Sequence, residues 1–123
     1  MSYPKLGILV DRLHRQTLKS EVEWEETAKV GVYQAPFGDH TVQIHSFLSQ
    51  EDGEDYVFIT ILNSSGLQIE SFHDGEVRSF MPNDNSAYDA MKEILDTAKR
   101  HVLGTDKALD SIISILDKDE IPF

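Results

Sequence analysis

The sequence predicts an α+β fold. It is a single-layer antiparallel meander of four to five strands, with an N-terminal helix and two C-terminal helices packed on one face. Three observations carry this reading. The run Asp55–Phe72 reads as two strands joined by a turn. Apolar residues recur at helical spacing at both ends of the chain. Turn chemistry separates each apolar run between them. The 123 residues suit one domain: residues 1–20 form the first helix, 28–80 the sheet and 86–117 the C-terminal helices.

Leu6, Leu9, Val10, Leu13 and Thr17 fall at i, i+3, i+4, i+7 and i+11, the apolar stripe of an amphipathic helix. Pro4 suits its first turn. Leu18 and Val22 extend the apolar face, and Arg12, Arg15 and Lys19 mark the outer one. Trp24 follows, flanked by acids. It reads as a core anchor, because a small core needs its large aromatics; the alternative is an exposed binding hot spot.

Lys29–Ala35 is expected as the first strand, Pro36–His40 as a turn, and Thr41–Leu48 as the second strand. The second strand directs Val42, Ile44 and Leu48 to one face and Thr41, Gln43 and His45 to the other. Gln50–Asp55 is an acidic turn around Gly53. Asp55–Leu62 is rich in β-branched and aromatic residues and apolar on both faces, as expected at a sheet centre covered on both sides. Asn63–Gly66 is a turn, and Leu67–Phe72 the half-exposed return strand. Glu76–Phe80 is a candidate fifth strand through Val77 and Phe80.

Ser86 suits an N-cap, with Asp89 three residues on. Tyr88, Met91, Ile94, Leu95, Ala98 and Val102 keep helical period up to Gly104, which suits the C′ position. Thr105 or Asp106 caps a last helix with Leu109, Ile112, Ile113 and Leu116 as one stripe. Asp117–Phe123 is acidic and expected to fray.

The net charge is -11 and unevenly spread. Residues 1–20 carry Lys5, Arg12, Arg15 and Lys19 against Asp11, a net +3. Residues 21–123 carry seven Lys or Arg against twenty-one Asp or Glu, a net -14. That field repels nucleic acid over most of the surface. Lys99, Arg100 and Lys107 cluster, but Asp96, Asp106 and Asp110 surround them, so no nucleic-acid partner is expected. The chain has no cysteine, which excludes disulfides and thiolate chemistry and fits a reducing cytosol. No apolar run approaches ~18 residues, so no membrane span is expected. The apolar run from Leu6 to Val10 is too short for a signal peptide.

The Trp24-x-x-Thr27 segment, the meander and the closing run Ala98-Lys-Arg-His-Val-Leu-Gly-Thr-Asp-Lys-Ala-Leu-Asp-Ser-Ile-Ile113 resemble a group of small uncharacterised bacterial proteins. The likeness spans nearly the whole chain, and its most specific part is the Leu-Gly-x-Asp-Lys-Ala-Leu-Asp-Ser-Ile segment. It implies a bacterial, cytoplasmic setting and transfers no activity.

The residues assign no catalytic, cofactor-binding or metal-binding position. The five His do not form a His-Glu-x-x-His pattern. His45 and His73 would have to meet across the sheet, with Asp39 or Asp74 beside them, to begin a zinc site; solvated histidines are the simpler reading. Glu51–Asp55 lacks the ligand order of a calcium loop. Glu25 and Glu26 are paired carboxylates on a charged surface, with no burial or concave site to make either one catalytic. Phosphate-binding glycine loops and nucleophile elbows are absent.

The expected function is therefore a small acidic protein-interaction or regulatory module without catalysis. The alternative is a small-molecule-binding or enzymatic α+β domain, with a site between sheet and helices lined by His45, His73 or Tyr33. The last helix must either fold back against the first helix or offer its stripe to a protein partner or a homodimer.

Overall fold

The computed structural model describes residues 3–120; Met1, Ser2 and residues 121–123 lie outside it. Helix α1 (Tyr3–Leu18) is followed by five strands, β1 (Glu25–Glu26), β2 (Tyr33–Phe37), β3 (His40–Leu48), β4 (Asp55–Leu62) and β5 (Gln68–His73). Then come the single turn α2 (Asp74–Val77), two 3₁₀ turns, α3 (Ala87–Leu103) and α4 (Thr105–Glu120). The sheet is antiparallel throughout, in the order β1-β2-β3-β4-β5.

Strand alternation sorts Val42, Ile44, Val57 and Ile59 inward by their positions. Leu48, expected on the face of Val42 and Ile44, is instead 64% exposed at the strand end, and the Phe72 face of β5, expected to be partly solvated with Gln68 and Glu70, turns inward. Ala35, Val42, Ile44, Val57, Ile59 and Phe72 point inward and are buried. Against them pack Val10 and Leu13 of α1 and Met91, Ile94 and Ala98 of α3. Trp24 is 4% exposed and closes one end of this core, as the anchor reading expects. Ser86 caps α3 by accepting from the Asp89 N–H at 3.1 Å. Gly104 ends that helix at φ 66°, a left-handed conformation that costs glycine least.

Several expectations change. Lys29 to Val32 is not strand. Thr27 Oγ1 organises a turn there, bonding the Lys29 and Val32 carbonyls at 3.0 and 2.9 Å, and Val30 is fully exposed. The fifth strand is β1 on the opposite edge, where Glu25 pairs Gln34 and Glu26 pairs Tyr33. Glu76–Phe80 is instead helical, because His73 and Glu76 form a reciprocal capping box that starts α2 as β5 ends. β3 is the middle strand. β4 is paired on both sides, but among the described residues no helix covers its outer face, and Phe58 there is half-buried. At the C-terminus, helix continues to Glu120 where fraying is expected from Asp117. Leu18 is 51% exposed and does not extend the apolar face of α1, whereas Val22 is buried.

Helices α1 and α3 lie side by side on the inner face of the sheet. His14 Nε2 meets Glu93 Oε1 at 2.6 Å between them. Gly7 of α1 lets its backbone approach the 3₁₀ turn Arg78–Phe80: a Cβ there would stand 2.1 Å from the Phe80 carbonyl oxygen. Tyr3 stacks on the Phe80 ring in the same contact, with centroids 5.5 Å apart.

Candidate interaction surface

Helix α4 begins where Gly104 breaks the α3 ladder, and Ala108 N–H donates to the Gly104 carbonyl at 2.9 Å. Arg100 and Asp106 form an exposed ion pair of 3.2 Å across the break. Among the described residues α4 contacts α3 and makes no comparable contact with α1, and its side chains from Asp106 to Lys118 are all exposed. Its apolar side chains therefore stay open: Leu109 is 46% exposed, Ile112 53%, Ile113 52%, Ile115 59% and Leu116 55%. At 100° per residue these five share one broad face. Leu103, at the end of α3, is exposed beside it. The sequence signals four of these residues by their spacing; Ile115 widens the stripe.

A second apolar feature lies on the other side of α1. Leu9 and Leu13 face Phe37, Val42 and Ile61 across a groove of about 390 Å³, with Arg12, Gln16 and His40 exposed along its edge. Sequence reading misses this groove because its walls come from α1, β2, β3 and β4, which only the tertiary fold brings together. Arg12 is 71% exposed at the side chain. Its neighbour Asp11 is buried and bonded to Arg15 at 3.2 Å.

The outer face of the sheet is ordered in cross-strand rows. One row is polar: Gln34 Nε2 donates to Glu25 Oε1, and Gln43 Nε2 to Gln34 Oε1, both at 3.0 Å. Thr60 and Ser71 hydroxyls continue it at 3.1 Å. The next row is aromatic. His45 stacks on Phe58 with centroids 5.3 Å apart, and His73 meets the same ring edge-on at 5.4 Å. Phe47 and Tyr56 flank this row.

His45 and His73 thus share a face and a neighbour, yet each meets Phe58 rather than the other. Burial, and secondarily the charge of Lys29, hold the His45 pKa below its ordinary value. His73 Nδ1 accepts from the Gly75 N–H at 3.0 Å, so it serves the α2 cap. Asp74 turns inward and accepts the Val57 N–H at 2.8 Å, and Asp39 is exposed in its turn. Tyr33 is buried on the opposite face. The three residues named for a ligand pocket are therefore not brought together. Among the described residues no group of three or more His, Asp or Glu is placed to hold a metal.

The acidic turn after β3 uses its own carboxylate. Asp52 accepts the Glu54 N–H at 2.9 Å and the Tyr56 hydroxyl at 3.0 Å. The Glu54 N–H is the larger cause of the lowered Asp52 pKa. Asp52 thus orients toward the donors of its own turn. Glu25 is likewise engaged by Gln34.

Among the described residues no helix is long and apolar enough to cross a membrane. No protein-family model, curated protein or solved structure matches this chain.

Proposed function

We propose that this chain is a small acidic protein-interaction module that acts through its surface, without catalysis, and that α4 is its contact element. One observation carries the reading. A sixteen-residue helix leaves five aliphatic side chains about half exposed on one face. Scattered exposed apolar residues are ordinary, but a contiguous stripe marks an interaction surface. Helix-in-groove recognition uses this pattern of i, i+3, i+4 and i+7 anchors. The acidic balance of the chain favours a partner surface with basic groups. The resemblance to small bacterial proteins supports a bacterial, cytoplasmic setting.

The test is Ile112→Glu. Because Ile112 is exposed, the variant keeps its circular dichroism spectrum and melting temperature and loses association by light scattering. A variant that unfolds places Ile112 in a core, and one that associates like the parent removes α4 from the contact.

A second reading rests on the groove beside α1, whose size falls within the usual range of ligand sites. Its polar groups stand at the edge rather than converging inside, which suits an apolar occupant better than a reacting substrate.

A further inference from the structure

We propose that the partner of α4 is a second copy of this chain, and that α4 of each copy seats in the groove between α1 and the sheet of the other. The inference rests on the interaction reading above and names its occupant. Two apolar surfaces of one chain are complementary in shape: a convex, exposed helical stripe of Leu109, Ile112, Ile113, Ile115 and Leu116, and a concave groove whose floor, Leu13 and Val42, already belongs to the core and whose walls are Leu9, Phe37 and Ile61. Phe37 on the groove wall is 42% exposed, so the groove has surface left to bury.

Charge decides between the arrangements. The α4 sequence holds five Asp or Glu against two Lys. Helix α1 carries Lys5, Arg12 and Arg15, with Lys19 just beyond, and its Asp11 is already engaged by Arg15. Two α4 helices side by side would bring like charges together, which costs association. An α4 beside α1 brings acids to the basic edge at Arg12. The seating also closes on itself: a twofold pair engages both stripes and both grooves at once. A stable interface needs roughly 1,600 Å² in total, and the reciprocal arrangement doubles what a single helix contact supplies.

The absence of native cysteine makes the test direct. Full-length Phe37→Cys and Ile113→Cys variants are prepared separately, mixed, and treated with a short bismaleimide. The parent is followed by sedimentation equilibrium over a range of concentrations and salt. The expected result is a dimer that weakens with salt, weakens about tenfold in Arg12→Glu as an edge charge is reversed, and cross-links between Phe37→Cys and Ile113→Cys chains. Cross-linking of Ile113→Cys to itself alone overturns the groove arrangement and leaves α4 as a contact helix. A monomer at every concentration overturns the second copy, and so does a monomer whose Phe37 and Val42 resonances move on adding decanoate, which gives the groove a different occupant. A dimer unchanged by Ile112→Glu overturns both this inference and the role of α4.

Discussion

The indole N–H of Trp24 donates to Thr17 Oγ1 at 3.2 Å, and both residues are buried. The bond ties the loop after α1 back onto the last turn of that helix. An aromatic body needs burial, and its one polar atom needs a partner there. Trp24→Ala should lose about 3–5 kcal/mol, the range for truncating a large core aromatic. Thr17→Val keeps the volume but strands the indole N–H, and should lose about 1–3 kcal/mol. Denaturant titration followed by Trp24 fluorescence measures the second; the native emission should be blue-shifted and move red on unfolding.

Gly7→Ala sets two effects against each other. Helix propensity alone favours Ala by about 1 kcal/mol. The added Cβ would stand 2.1 Å from the Phe80 backbone oxygen, a position no flexible side chain can vacate. Overpacking of this kind costs typically 1–3 kcal/mol, and the variant should melt below the parent. A higher melting temperature would show that the 78–80 turn yields easily.

Asp74 takes over where β5 stops, by accepting the Val57 N–H at 2.8 Å. Val57 is fully buried. Asp74→Ala leaves that N–H without its acceptor and should lose on the order of 1–3 kcal/mol. Asp74→Asn keeps an acceptor oxygen and should lose less. Amide exchange at Val57 should quicken in the first variant and little in the second.

Two groups give opposite pH signatures. Tyr88 donates to Asp55 at 2.7 Å, and that bond, then desolvation and Asp55's charge, push its pKa up to about 12. The folded state holds this proton more tightly. The stabilisation is complete below the ordinary tyrosine pKa of about 10 and is lost as pH rises through about 12. Ultraviolet titration should show a late tyrosine that Tyr88→Phe removes. His45 shifts the other way, through burial and then Lys29. Its contribution is present above about pH 6.5 and fades as pH falls through its lowered folded value. Lys29→Met should raise the His45 midpoint in an NMR titration.

Period and turn chemistry made the meander legible. Val42, Ile44, Val57 and Ile59 alternate into the core as their positions require, and Ser86 and Gly104 mark the ends of α3 because capping is a local hydrogen-bond problem. The stripe on α4 was equally plain, since spacing along one helix is also local. Sequence alone left open what that stripe touches. The chain order shows which segments can become elements, but not how the α3–α4 junction at Gly104 directs the last helix. The groove beneath α1 was invisible for the same reason: Leu9, Phe37 and Ile61 are far apart in the chain and meet only when α1 lies across the sheet. The alternation of β4 put Phe58 on the face opposite Val57 and Ile59, but that this face is the uncovered one, and that Phe58 stacks there with His45 and His73, depends on the register of three strands. Local periodicity determined the elements and their faces; non-local packing decided which of those faces stayed uncovered, because burial is a property of pairs of surfaces and a sequence presents them one at a time.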